Sequence, residues 1–349
     1  MKIGIRTVFK TENCGSVLQA WALKTQLSNL GSNVVFCDYD ASQSNSKIVS
    51  VIKCTLKGKL KRAYFILKKT SDYKKFRKKN GLVGYKGTCD AYVFGSDTLW
   101  NFDDRWFCDK RNFFTGEGIE APCYAYAVSV GSTSCEKVKN ISDSVNNICK
   151  FKGVAVRDSH TMDVISSFYP KEKITATLDP TLLIKKDEYA RIASVDSFKY
   201  KNGLVVYYFG EIPDELWIKI KSFARSHGLL TINIGMPNKL ADISLVPSPE
   251  NFISAFSTAK YIFTNTFHGC VFSTIFNKQF ATNGAHKKKI QGFLSEFSLT
   301  DQIVSDENNV DVVFSSPINY NHVNELIDGA RKRSLDYLEQ VLSGADNYE

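Results

Sequence analysis

Short apolar runs recur along this chain, each followed by a polar turn and a stretch where apolar residues return every three or four positions. KIGIRTV (2–8) is the first run. After the turn Lys10–Gly15 come Val17, Leu18, Trp21, Leu23 and Leu27 at helical spacing; Gly31 closes that helix and VVFCDYD resumes extended chain. AYVFGS (91–96), CYAYAVSVG (123–131), GVAVRD (153–158) and ITATLD (174–179) read as further strands, with helices over 135–150 and 159–168. The runs are continuously apolar rather than alternating, as in strands of a parallel sheet covered on both faces.

The pattern breaks at Asp179-Pro180, and the polar stretch Lys185–Asn202 reads as a crossing into a second unit. There GLVVYYFG (203–210), LLTINIG (229–235), YIFTN (261–265) and QFATNG (279–284) are strands. Helices are expected near 213–227, over 249–260 with Ser248 as N-cap and Pro249 in the first turn, over 268–277, and over about 321–343. The expected fold class is therefore α/β, with two Rossmann-like doubly wound domains facing across a cleft: 1–184, and 185–349 with a long terminal helix. The length, 349 residues, agrees with two domains.

Composition changes the picture in one segment. No apolar run reaches the roughly 18–20 residues of a membrane span, and the chain opens without a charged-then-apolar leader, so a cytoplasmic protein is expected. The nine cysteines are scattered without CxxC spacing, which excludes a disulfide framework or zinc site as the expectation and leaves a catalytic thiol at Cys14 or Cys270 as a minor alternative. Of the net charge of +9, the segment Lys47–Lys79 alone holds thirteen Lys and Arg against one acid, Asp72. Ile48, Ile52, Leu56, Leu60, Ala63 and Leu67 run through it at helical spacing, with Tyr64, Phe65 and Ile66 broadening the stripe. A basic amphipathic helical insertion over about 47–80 fits a peripheral contact with the anionic inner face of a membrane; a docked helix with a solvated lysine face is the alternative. No nucleic-acid motif accompanies it.

In doubly wound folds ligands sit at the carboxyl ends of strands, beside helix N-termini. Four such junctions stand out. In TENCGSVLQAW, Gly15 permits a tight entry into a helix whose free N–H groups would hold an anion, with Asn13 and Ser16 beside it. In FGSDTLWN, Ser96, Asp97 and Trp100 share one loop with Asn101; an ordinary helix cap over a packed Trp is the alternative. In AVRDS, Arg157 ends a strand, where a planar guanidinium suits a carboxylate or phosphate, or else an ion pair with Asp158 or another acid. In FTNTFHGCVFSTIF, Asn265, Thr266, His268 and Gly269 open an apolar helix, where backbone donors and an imidazole would converge on a phosphate.

Seven pieces in order (MKIGI, NCGSVLQAWAL, FGSDTLWN, YAVSVG, VAVRDSHTMDVI, LDPTLLI and AKYIFTNTFHGCVFSTIFNKQF) resemble the polysaccharide pyruvyl transferase family over nearly the whole chain. The resemblance implies a glycosyltransferase-B-like arrangement. It also implies phosphoenolpyruvate as donor substrate with no further cofactor and no metal, and a sugar of a lipid-linked surface-glycan precursor as acceptor, which becomes a pyruvate ketal. On matching positions the family histidine is His268 and the sheet-end arginine Arg157, both expected at the donor. Asp97 is the candidate for steering an acceptor hydroxyl or protonating carbon. Some members carry an arginine where this chain has Thr266, so an anion ligand is expected from elsewhere, from Arg6 or a lysine of 287–289. A nucleotide-sugar glycosyltransferase and a non-catalytic glycan-lipid binding protein are the competing readings.

Overall fold

A computed structural model describes residues 1–41, 44–193, 195–305 and 310–344. Its first sheet contains β1 (Lys2–Arg6), β2 (Asn33–Cys37), β3 (Gly84–Tyr85), β4 (Ala91–Asp97), β5 (Cys123–Val128), β6 (Gly153–Val156) and β7 (Ile174–Ala176). They are parallel, in the order β3-β2-β1-β4-β5-β6-β7. The second sheet is built of β8 (Leu204–Tyr207), β9 (Thr231–Ile234), β10 (Ile243–Leu245), β11 (Tyr261–Thr264) and β12 (Gln279–Thr282), again parallel, ordered β10-β9-β8-β11-β12. Both orders reverse direction once, between β1 and β4 and between β8 and β11, giving each unit the switch-point crevice of a doubly wound sheet. Every residue of β4 and β5 is buried, the burial that their unbroken apolar sequence requires.

Some elements differ from the sequence expectation. The basic segment is two helices, α2 (Ser44–Leu56) and α3 (Leu60–Lys79), because Gly58 between them adopts φ 67° and turns the chain. The stretch 135–150 is likewise two short helices, Cys135–Lys139 and Ser142–Ile148, where the Asn140 amide donates to the Glu136 carbonyl and offers the backbone a local stop. The edge strands β3 and β10 are too short to leave a pattern in the sequence.

Two connections join the units. Trp21 of α1 (Cys14–Asn29), Tyr189 and Phe272 form a chain of aromatic contacts, 5.4 and 5.0 Å between centroids, within one continuous core. The terminal helix Tyr320–Ser343 begins on the second unit, where Tyr320 donates to the Lys278 carbonyl. It ends on the first, where Ser334 accepts from the Leu178 amide (2.9 Å) and Tyr337 donates to the Ala125 carbonyl (2.8 Å). No described helix is long and apolar enough to cross a membrane.

Candidate active site

At the start of α1, the Asn13 side chain accepts from the Gly15 and Ser16 amides, a standard N-cap. The Gly15 N–H is therefore already bonded, contrary to the expectation of a free anion donor. What the glycine supplies is space. A Cβ there would stand 2.1 Å from Nδ1 of His268, so the imidazole from the second unit lies directly on the backbone of the first. His268 follows Thr266, which caps its helix (Phe267–Ile275) by accepting from the Gly269 amide at 2.9 Å. A Cβ at Gly269 would meet Thr264 Oγ1 at 2.1 Å, so here too a glycine is required by close approach rather than by φ.

On the far side of the imidazole stands Asp179, at the end of the first unit. Its Oδ2 lies 3.5 Å from His268 Nε2 and accepts from Arg157 Nη1 at 2.9 Å, while Oδ1 accepts from the Thr181 amide and hydroxyl. Arg157 and Asp179 are almost wholly buried, at 4% and 0% side-chain exposure. Burial would push the Asp179 carboxyl up, but His268, Arg157 and the Thr181 hydroxyl outweigh it and hold it well below the usual carboxylate range. Nε and Nη2 of Arg157 are buried without a protein partner. The expected ion pair thus exists, with Asp179 rather than Asp158, whose carboxylate caps the next helix through the Thr161 amide. It still leaves two guanidinium donors unused.

Asp97, at the end of β4, completes the cluster. Its backbone is in the left-handed region (φ 91°), and Oδ2 accepts from the Ser16 hydroxyl at 2.6 Å. Burial raises its pKa, and Arg157, His268, Lys289 and the Ser16 bond more than compensate, so it lies below the ordinary value. A carboxylate held ionised is in the form that can orient a hydroxyl or accept its proton. Lys289 joins from the second unit. Burial and neighbouring Arg157 lower its pKa, with Asp97 pulling the other way, and its Nζ stands 5.9 Å from the Phe267 ring.

The remaining expected site residues have other duties. Ser96 is fully buried and hydrogen-bonded to Ala127, Gln19 and Thr7. Trp100 is a core residue with its indole N–H on the Phe114 carbonyl, so the packed-Trp alternative holds. The Asn265 amide is occupied at both ends by the backbone of Phe209, fixing the loop after β8. Arg6 is stacked on Phe113 and donates to the Phe113 carbonyl, beside Tyr92 and Phe94 and outside the cluster. Lys287 donates to the Asn265 carbonyl. Of the cations named for that role, Lys289 is the one whose charge is coupled to Arg157 and Asp97. The Cys14 and Cys270 thiols are pushed up by burial to about 11 and about 12, which excludes a resident thiolate. Asp179 was visible beforehand only as the break in LDPTLLI; the signal was an acid at a strand end followed by Pro in the first helical position.

Two cavities are lined by residues of these junctions. One of about 470 Å³ is lined by Arg157, Asp158, Asp179, Phe267, Lys289 and Arg333 among others. The other, about 1400 Å³, is bounded by Asn13 and Phe209 and extends under the α2–α3 hairpin. Among the described residues no group of His, Cys, Asp and Glu is arranged to hold a metal ion.

A family model described as polysaccharide pyruvyl transferase matches residues 13–282, about three quarters of the chain and every residue of this cluster except Lys289. The chain belongs to the polysaccharide pyruvyl transferase family. It is therefore a member of a transferase family. No curated protein matches it. Solved structures similar to this family member include the UDP-GlcNAc 2-epimerase of Neisseria meningitidis bound to UDP-GlcNAc (7% identity, 99% of each chain, TM-score 0.54). The UDP-GlcNAc 2-epimerase of Methanocaldococcus jannaschii is another (9%, 99% of this chain and 100% of that one, 0.53), as is the glycosyltransferase of kitacinnamycin (9%, 98% of each, 0.52). At such identities the likeness concerns the fold: two Rossmann-like units in a glycosyltransferase-B-like arrangement.

Proposed function

We propose that this member transfers the enolpyruvyl group of phosphoenolpyruvate to two hydroxyls of one sugar on a lipid-linked surface-polysaccharide precursor, closing a pyruvate ketal at the cytoplasmic face of the membrane. The observation that carries the reading is the pair of unpartnered donors on buried Arg157, a residue that lines the 470 Å³ cavity together with Lys289. A buried guanidinium with free N–H groups favours a planar or tetrahedral anion, and a donor carrying both carboxylate and phosphate supplies each.

In the proposed reaction one sugar hydroxyl adds at C2 while a proton reaches C3, turning the methylene into a methyl. The second hydroxyl then displaces phosphate at C2, and its proton leaves with the phosphate. Arg157 and Lys289 hold the anionic groups. His268, held between Gly15 and Asp179, hands a proton to the departing phosphate in this reading. Asp97, ionised and bonded to Ser16, takes the proton of the first hydroxyl and passes it to C3, which balances the proton gained there. Ser16 and Asp97 come from the first unit, and His268 and Lys289 from the second, so the site depends on the contact between the units, which also limits the access of water.

The test is thermal stability of the purified protein with phosphoenolpyruvate, UDP, GDP and nucleotide sugars. A ligand at about 100 times its dissociation constant adds about 2.7 kcal/mol. A shift with phosphoenolpyruvate, lost in Arg157→Lys, is expected; a shift with one nucleotide alone would replace this reading with nucleotide-sugar transfer.

A further inference from the structure

The α2–α3 hairpin is rooted firmly and exposed at its tip. At the root, Lys47 pairs with Glu12 (2.6 Å), Arg77 donates to the Thr11 carbonyl (2.8 Å), and Tyr73 and Phe76 are fully buried. Toward the tip the apolar stripes stand in solvent: Ile52 is 51% exposed, Leu56 82%, Leu60 65%, Tyr64 57% and Leu67 58%. That arrangement excludes, for this half of the hairpin, the alternative of a docked helix showing only its lysines to water. The stripe is interleaved with exposed Lys53, Lys57, Lys59, Lys61 and Arg62.

We infer that the hairpin tip is a docking surface for an anionic lipid bilayer, its apolar stripe seated among the acyl chains and its bases among the headgroups. Charge complementarity selects this occupant. A second copy of the chain would cover the apolar residues only by bringing two dense basic ridges together, whereas an anionic surface neutralises them. Continuity with the cavity gives the docking a consequence. Ile48, Ile52 and Leu67 belong both to the exposed stripe and to the lining of the 1400 Å³ cavity, which runs from there to Asn13 at the start of α1. Docking therefore sets the cavity mouth at the lipid surface, with Asn13, the cap of the helix that carries Gly15 and Ser16, at its other end. This consequence rests on the acceptor reading above; the docking itself does not.

The experiment is co-sedimentation with phosphatidylglycerol and with phosphatidylcholine vesicles at low and high salt, without donor or acceptor. Binding to the anionic vesicles only, weakened by salt, is expected. Lys57→Gln/Lys59→Gln/Lys61→Gln should weaken it roughly a hundredfold, at about fivefold per base. Leu56→Ser/Leu60→Ser/Tyr64→Ser should weaken it at every salt concentration. The stability gain with phosphoenolpyruvate should persist in both variants, which shows that they fold and separates failure of docking from failure of the donor reading. Equal binding to neutral vesicles, unchanged binding in the variants, or a concentration-dependent dimer abolished by the apolar triple variant would overturn the inference.

Discussion

Two regions of this molecule concentrate charge, and they do so in opposite ways. The hairpin carries thirteen bases from Lys47 to Lys79, most of them solvated, and the pairs that form, such as Lys68–Asp72, lie at the surface. The cleft holds far fewer ionisable groups (Arg157, Asp179, Asp97, His268 and Lys289), but Arg157 and both carboxylates are buried and each is defined by its neighbours. In water a charge is screened within about 10 Å at ordinary salt, so the hairpin acts through number and acts on surfaces. In the protein interior one unmatched charge costs several kcal/mol, so the cleft acts through geometry and acts on single groups.

That contrast breaks most sharply at Arg157. Arg157→Ala leaves Asp179 buried without its partner and should cost about 3–5 kcal/mol, read by chemical denaturation. Removing one exposed hairpin base should cost less than about 0.5 kcal/mol. If the two costs came out alike, the cleft pair would not be the buried pair described here.

Next in size is Gly15→Ala. The methyl would occupy the place of the imidazole, and displacing His268 by even 1 Å should lower turnover about a hundredfold. Forcing a nearly buried ring aside should also cost about 1–3 kcal/mol of stability. A fall in turnover much larger than that loss of stability accounts for separates a positioning role from a folding role.

The pH response sharpens the comparison further. Asp97 and Asp179 both titrate lower when folded than when unfolded. The stability they contribute is complete above the unfolded value near 4, and is lost as pH falls through the lower folded values. Unfolding followed by circular dichroism should therefore show a plateau through mild acid and a fall below it. Asp179→Asn should remove part of that fall, and hairpin lysine variants should leave it in place. The smallest effect is expected at the thiols. Cys14→Ser keeps a group able to bond the Tyr73 hydroxyl and should leave turnover within about twofold, because a thiol raised to about 11 has no thiolate to lose at neutral pH.

Much of this was legible in the sequence. Unbroken apolar runs separated by 3.6-period stretches fix parallel strands and covering helices, because burial on both faces leaves no other pattern. The ends of those runs then named His268, Arg157, Asp97 and Ser16, since a doubly wound sheet places ligands there. The sequence also set the charge of the hairpin and its apolar stripe. It could not say whether that stripe faces water or the core, because helical periodicity marks a face without naming what covers it.

Tertiary structure decided the rest. Asp179 is the acid that reaches Arg157, while Asp158, nearer in sequence, caps a helix instead. Gly15 matters for the imidazole it admits from the other unit rather than for its own N–H. Trp100 and Ser96 belong to the core, and Lys289, from the other unit, is the lysine coupled to Arg157 and Asp97. Each of these turns on contacts between residues far apart in the chain, often across the two units. Local periodicity records which side of an element is buried; it carries no record of the partner that meets it there.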